Sequence, residues 1–372
     1  MRLALVSDTY RPQVNGVVST VDSIARAVED EIEVRIFAPT NGNGEPMFRA
    51  VTFRPYPDYK IAVVRPETLT RRLIEEEIDL VHVHTPLSLC AASVVAARRL
   101  GIPVVGTYHT MISEYTHYVF RRCPVLLKGL AWRYVSYFYR RCRVVTAPSR
   151  AVLEMLLENG VESVRLIPGS VDVDLFTPRP RRENDHNTIL FVGRLDREKR
   201  VETLIRAALQ VLKKIPRCEF RLVGTGVLEE HYRDLVRSMG MADNFTFDRF
   251  LDTEELVEAY RSCDVFVMPS DTETLGLVAL EAMACGKPVV GADAWGLRDV
   301  ITHNVDGLRF PPGDDAELAA QLVRLLGDGE MRLRMGLKAR EKAKSFSYSR
   351  IGRRWVSLYN SVLEEARSVR NG

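Results

Sequence analysis

The sequence predicts an α/β protein built from two doubly wound, Rossmann-like domains with parallel sheets. Three observations carry this. Short apolar strands alternate with helical stretches, and that alternation runs twice along the chain. A stretch rich in Pro and charge, residues 171–188, separates the two runs. The second run also contains an apolar strand at 264–268 followed by a loop, helix and new strand, SDTETLGLVALEAMACGKPVV, at residues 270–290. Alternation of this kind implies a parallel sheet covered by helices on both faces. The 372 residues suffice for two domains of ordinary size.

Taken in order, Arg2–Ser7 reads as a buried strand and residues 8–16 (DTYRPQVNG) as a loop broken by Pro12 and Asn15-Gly16. Ser19 is the expected N-cap of a helix reaching Val28. Val34–Ala38 and Val51–Arg54 are strands, Arg65–Glu77 a helix, Leu80–His84 a strand, Leu87–Leu100 a helix of small apolar residues, and Pro103–Tyr108 a strand leading into His109. Val144–Ala147 and Glu162–Pro168 complete the first half. The second half repeats the pattern: strands at 189–192, 219–223, 244–247, 264–268, 288–291 and 308–310, with helices at 201–214, 228–238, 253–263 and after Leu277. The expected organisation is therefore a first domain over 1–170, a linker over 171–188 and a second domain over 189–349. The cleft that two such halves form is the default site.

Composition narrows the function. Hydrophobic content of 46% and charged content of 27% are those of a soluble globular protein, and the net charge of +3 (52 basic, 49 acidic) gives no footprint of a nucleic-acid partner. Six scattered cysteines form no CxxC pair or Cys/His cluster, so no zinc site or disulfide framework is expected, and reduced thiols in cytosol are. The apolar stretch before Asp8 is too short for a signal peptide, and no apolar run is long enough to span a membrane.

In the 270–290 unit, Glu273 and Glu281 stand eight positions apart, near a strand's carboxyl end and inside a helix. Eight helical steps give roughly 12 Å, beyond the roughly 5–9.5 Å between the two carboxylates of a glycosidase, so the spacing argues against a hydrolytic pair. A helix start has unpaired N–H groups and a positive dipole end, which suits a phosphate over Leu275, Gly276 and Leu277. The sequence FVGRLDREKR opens the second half, and its Arg194 and Lys199 could clamp a diphosphate at the same sheet edge. Gly224-Thr225-Gly226 lacks the third glycine of a dinucleotide fingerprint. Asp172-Val173-Asp174 mimics a metal-binding motif, but its place between the halves favours a structural role. His82 and His84 alternate on a strand and read as packing or cleft-lining groups, whereas His109, at a strand's carboxyl end, could contact a sugar or shuttle a proton. Between Glu114 and Glu154 there is no acid, and residues 115–143 interleave arginines with aromatics. That pattern fits either an anionic membrane surface or a buried crossover helix with solvated arginines.

Three motifs in order, SDTYRPQVNG at 7–16, GRLDREK at 193–199 and Glu273-x7-Glu281, resemble the retaining glycosyltransferases of family 4, with the GT-B fold. The resemblance implies two Rossmann-like domains facing across a cleft, with the C-terminal helix (350–372) returning to the first. It implies that Arg194 and Lys199 hold the donor diphosphate and stabilise it as leaving group, helped by backbone N–H groups near Leu275–Leu277. Glu281 would accept from the ribose, Glu273 would contact the donor sugar, Gly16 would admit the diphosphate, and His109 would touch the sugar. The leaving phosphate would accept the acceptor's proton, and neither a metal nor another cofactor is required. Asn15-Gly16 departs from the usual pair of glycines, Glu273-Thr274-Leu275-Gly276 from Glu-Gly-Phe-Gly, and Gly169-Ser170 from Asn-Gly. The opening motif and Glu-Thr-Leu-Gly are similar to members that glycosylate lipids, so the resemblance implies a nucleotide-sugar donor, a lipid acceptor, contact with an anionic membrane through 115–143, and a cytoplasmic, peripheral location. A soluble sugar or sugar-phosphate acceptor and a nucleotide-sugar epimerase are the alternatives.

Overall fold

A computed structural model describes residues 1–13, 15–52, 60–109, 124–179 and 186–371. The chain forms two compact units, Met1–Ser170 with Tyr348–Gly372, and Val171–Ser347.

The first unit runs β1 (Arg2–Val6), α1 (Gly16–Val28), β2 (Glu33–Phe37), β3 (Ala50–Thr52), β4 (Lys60–Ala62), α2 (Pro66–Glu75), β5 (Leu80–Val83), α3 (Ser88–Leu100), β6 (Val104–Thr107), α4 (Pro124–Tyr139), β7 (Val144–Ala147), α5 (Arg150–Glu158) and β8 (Val164–Leu166). Six strands form one parallel sheet in the order β2-β1-β5-β6-β7-β8. The lack of polar alternation in β6 and β7 is explained by this: both are flanked by strands and buried along their length. The strand expected over Val51–Arg54 is not part of that sheet. Its described residues pair antiparallel with β4, Ala50 opposite Ala62, and Val51 is exposed. Helix α1 begins earlier than Ser19 implies. Asn15 is the N-cap, its Oδ1 accepting from Val17 N at 3.0 Å and Val18 N at 3.1 Å. A side-chain acceptor placed just before a glycine outcompetes a serine already inside the apolar periodicity.

The second unit runs β9 (Asn187–Val192), α6 (Val201–Lys214), β10 (Cys218–Val223), α7 (Glu229–Ser238), β11 (Phe245–Asp248), α8 (Thr253–Ser262), β12 (Val265–Met268), α9 (Leu277–Ala284), β13 (Val289–Ala292), α10 (Leu297–Val300), β14 (Gly307–Phe310), α11 (Asp315–Gly327) and α12 (Gly329–Ala343). Its sheet is parallel throughout, in the order β11-β10-β9-β12-β13-β14. Counted from β9 this is 3-2-1-4-5-6, the doubly wound order, and it reverses between β9 and β12.

The expected linker needs correction. Val171 and Phe176 are buried in the second unit's core. Arg340 donates to the carbonyls of Phe176 at 2.7 Å and Val173 at 2.8 Å, and Arg261 to that of Thr177 at 2.8 Å. Residues 171–179 thus belong to the second unit, because an arginine can satisfy the carbonyls of a Pro-interrupted segment that has no ladder of its own. The last helix, α13 (Tyr348–Asn371), belongs to the first unit. Its stripe Ile351, Trp355, Leu358, Tyr359 and Val362 packs with Val21, Ile24 and Val28 of α1. A side chain at Gly352 would collide with the Ala27 carbonyl, so glycine lets the two helices touch. Among the described residues no helix is long and apolar enough to cross a membrane.

Candidate functional site

The carboxyl ends of β9 and β12 lie side by side where the strand order of the second unit reverses, the place where doubly wound sheets open a crevice for ligands. The loop after β9 is pinned from below. Gly193 N donates to Val223 O at 3.0 Å, Leu195 N to Thr225 O at 2.9 Å, and buried Asp196 accepts from Val227 N at 2.9 Å. A Cβ at Gly224 would strike the Gly193 carbonyl, and one at Gly226 the backbone of Leu195. The pair of glycines that makes no dinucleotide fingerprint therefore serves packing, letting two loops pass at backbone distance.

Three contacts stitch the β9 loop to the β12 loop. Lys199 Nζ donates to Glu273 Oε1, Arg200 pairs with Asp271 at 2.8 Å, and Ser270 Oγ donates to Glu198 O at 3.0 Å. Arg194 faces Glu198 at 2.7 Å and Asp196 at 3.2 Å. The expected cations are thus present: Lys199 is matched by the expected Glu273, Arg194 by Asp196 and Glu198, and the neighbouring Arg200 by Asp271, three carboxylates that the sequence pattern did not assign. Acids alternating with bases in GRLDREKR and SDTE were the available signal.

The turn into α9 completes this edge. Gly276 sits at φ +100°, a conformation that favours glycine, and a side chain there would also press on Leu297 Cδ2 at 2.9 Å. Gly276, the N-cap of α9, has no side chain with which to cap it, and the helix start carries its N–H groups and positive dipole end at this loop. Gly296 N donates to Glu273 O at 2.9 Å, and a Cβ at Gly296 would collide with Thr274 O. Leu275 is buried and anchors the turn. Glu281, one turn into α9, accepts from the Tyr260 hydroxyl at 2.7 Å. Burial pushes its carboxyl up to about 7, against the opposing pull of that hydrogen bond. Arg194, Lys199, Glu273 and the 275–277 turn are brought together, with Glu281 farther along the same helix.

Gly16 and His109 belong to the first unit. Gly16 opens α1, and a Cβ there would meet nothing within 4 Å among the described residues, so packing does not require glycine at this position. His109 follows β6, and its Nε2 shares a hydrogen bond with His84 Nδ1 at 2.8 Å. The His82 and His84 rings, near the end of β5 and just past it, lie 4.1 Å apart, and His82 also bonds Tyr359 OH at 2.8 Å and Thr107 Oγ1 at 2.6 Å. Burial lowers all three imidazoles, His109 to about 3. Buried Asp8 accepts from Leu89 N at 2.6 Å and caps α3 from the neighbouring loop.

Residues 115–123 lie outside the described residues. In α4, Val135, Phe138 and Tyr139 are buried, and the Trp132 ring stacks on Tyr108 at 6.2 Å. Leu130, Arg133, Tyr134, Tyr137 and Arg140 face outward at helical spacing, and the Arg141 guanidinium lies 3.3 Å over the Tyr137 ring. In the described part of this stretch one face is core and the other is basic and aromatic. Asp172 accepts from Asp174 N and Leu175 N at 3.2 and 3.0 Å, a turn consistent with a structural role. Among the described residues no group of three or more His, Cys, Asp or Glu could hold a metal ion.

The chain has known relatives. Residues 14–175 match the family described as Glycosyltransferase Family 4, and residues 173–342 that described as Glycosyl transferases group 1. The GDP-mannose-dependent alpha-mannosyltransferase of Mycobacterium tuberculosis is 30% identical, over 100% of this chain and 97% of that one. The sulfoquinovosyl transferase SQD2 of Arabidopsis thaliana is 33% identical over 75% of this chain, which spans 57% of that longer protein. The alpha-monoglucosyldiacylglycerol synthase of Streptococcus pneumoniae is 26% identical over 83% of this chain and 75% of that one. In fold, the chain is similar to Anabaena HepE in complex with UDP, with a TM-score of 0.76 and 19% identity over 97% of this chain and 100% of that one. With two doubly wound units, paired charges at the second unit's switch point and a relative matched from end to end, the chain belongs to the family 4, group 1 glycosyltransferases of GT-B fold.

Proposed function

We propose that this protein is a retaining hexosyltransferase that moves a glucose- or mannose-type sugar from a nucleotide diphosphate sugar to a hydroxyl of a membrane lipid. The observation that carries this is the Lys199–Glu273 pair at the β9/β12 switch point, beside Arg194 and the glycine-capped start of α9. A donor diphosphate seated there meets two cations and a helix N-terminus, so charge that grows on the departing phosphate is stabilised as the sugar–oxygen bond breaks. The acceptor oxygen bonds to the anomeric carbon on the same face, and its proton passes to the leaving phosphate. Glu273 lies toward the sugar and Glu281 toward the ribose. The positive charge comes from side chains and backbone, so no metal is needed in this scheme.

A lipid acceptor is supported by the similarity to the diacylglycerol-named enzyme and by the outward basic and aromatic face of α4. Such a face suits the anionic cytoplasmic surface of a membrane, where the protein would act as a peripheral enzyme. The test is a transfer assay with UDP-glucose and GDP-mannose against a lipid extract, diacylglycerol and a soluble sugar phosphate in parallel. Label moving into the lipid fraction supports the proposal. Transfer to the sugar phosphate with none to lipid overturns the acceptor assignment.

A further inference from the structure

Tyr260 of α8 is fully buried, and its ring is held on two sides. Phe266 of β12 lies at 5.7 Å, and Phe176 meets it edge-on at 5.7 Å. Phe176 is fixed in turn by the Arg340 bond to its carbonyl. Thus the segment that reads as linker in the sequence forms one wall of this ring's cage. The cage leaves Tyr260 a single polar atom, and its hydroxyl points at Glu281 Oε2, 2.7 Å away. Burial beside that carboxylate raises the phenol well above its ordinary range, so it remains a donor throughout the neutral range.

A carboxylate on a helix can rotate, and its two oxygens offer about four acceptor sites. A caged donor on Oε2 removes that freedom and reserves the other oxygen for a ligand. We propose that Tyr260 is a positioning residue for donor recognition: it fixes the Glu281 carboxylate so that Oε1 reads the ribose hydroxyls, and so makes the site selective for ribonucleotides over deoxyribonucleotides. The inference rests on the assignment of Glu281 to the ribose. Phe176 supports the same carboxylate one step removed.

The test is a cycle that deletes the hydroxyl from either partner. UDP and GDP, with their 2′-deoxy and 3′-deoxy counterparts, are titrated calorimetrically into the full chain and its Tyr260→Phe, Phe176→Leu and Glu281→Gln variants. The wild-type protein should prefer the ribonucleotide by at least about tenfold, the worth of a hydrogen bond to a charged group. Tyr260→Phe, which keeps the ring and its packing, should cut that preference by about fivefold or more while changing affinity for the deoxy forms less than about twofold. In turnover it should raise the donor KM and leave kcat within about twofold. Phe176→Leu, which keeps the hydroxyl but loosens the ring, should lower the preference in part. Equal weakening of ribo and deoxy forms by Tyr260→Phe would mark a structural role and overturn the proposal, as would an unaltered preference. If Glu281→Gln itself leaves the preference intact, the ribose assignment falls. If Glu281→Gln abolishes it and Tyr260→Phe does not, only the positioning role falls.

Discussion

Lys199 and Glu273 are bound to each other, ammonium to carboxylate, across the point where the strand order of the second unit reverses, and both are largely withdrawn from solvent. The two groups proposed to meet the donor's phosphate and sugar are therefore partners in the protein itself. Each restrains the other's side chain, and the pair ties the β9 loop to the β12 loop. Removing one member leaves the other sheltered and uncompensated, a costly state for a buried ion pair.

Replacing Glu273 by Gln separates the two roles. The amide can still accept from Lys199, but it no longer competes by charge with a diphosphate. Nucleoside diphosphate should bind Glu273→Gln as tightly as wild type or more tightly, while sugar transfer falls on the order of a hundredfold. Calorimetry of UDP and GDP with a turnover assay checks both. Weaker nucleotide binding would mean that Glu273 supports the phosphate site and not the sugar.

Glu281 should make nucleotide binding depend on pH. Its carboxyl titrates near 7 in the free protein because it is buried, and the ionised form is the better acceptor for ribose hydroxyls. Binding that draws on the carboxylate strengthens as pH rises through 7, by up to about tenfold between pH 6 and pH 8 at one proton per site. In Glu281→Gln the profile should be flat over that range.

Much of this site is legible in the sequence, and its omissions share a cause. The glycine and acid positions of the 270–290 unit and the cations of GRLDREK are local patterns, and the sheet brings them together as expected. The opposing carboxylates Asp196, Glu198 and Asp271 were visible as letters, but which cation each would neutralise depends on two loops meeting in space. Tyr260 was invisible for the same reason: it lies 21 positions from Glu281 and reaches it only through the packing of α8 and α9. The start of α1 and the attachment of residues 171–179 escape a pattern-based reading because both depend on side chains satisfying backbone groups. Asn15 does so locally, and Arg340 from far along the chain.

Gly296 should prove indispensable for the site without bearing any functional group. Its Cβ position is filled by the Thr274 carbonyl and Leu275 Cα. Gly296→Ala must displace the turn that carries Glu273 and starts α9, with a cost of about 1–3 kcal/mol for overpacking. The melting temperature should drop, and nucleotide affinity should fall at least about tenfold. A variant that binds normally would show that the turn does not form part of the donor site.

The three stacked histidines of the first unit predict acid sensitivity. In the folded chain burial holds their pKa values below the ordinary 6.5, to about 3 for His109. The unfolded chain therefore binds more protons as pH falls below about 6.5. The stability these neutral rings allow is complete above that value and is lost toward acid, by about 1.4 kcal/mol per pH unit for each histidine. His109→Gln should flatten the fall in melting temperature between pH 6.5 and 4.5. Trp355, whose ring centroid lies 5.1 Å from that of His82, offers a fluorescence readout within the same unit. Parallel slopes in variant and wild type would contradict this account.

The most direct measurement is the rate of nucleoside diphosphate release coupled to sugar transfer, compared between wild type, Arg194→Ala and Lys199→Ala at saturating donor. Stabilisation of the leaving diphosphate by these two cations predicts a fall in kcat on the order of a hundredfold for each variant, with correct folding at the assay temperature confirmed by circular dichroism and a cooperative melt. Unchanged turnover in either variant would contradict the assignment of that cation to the leaving group.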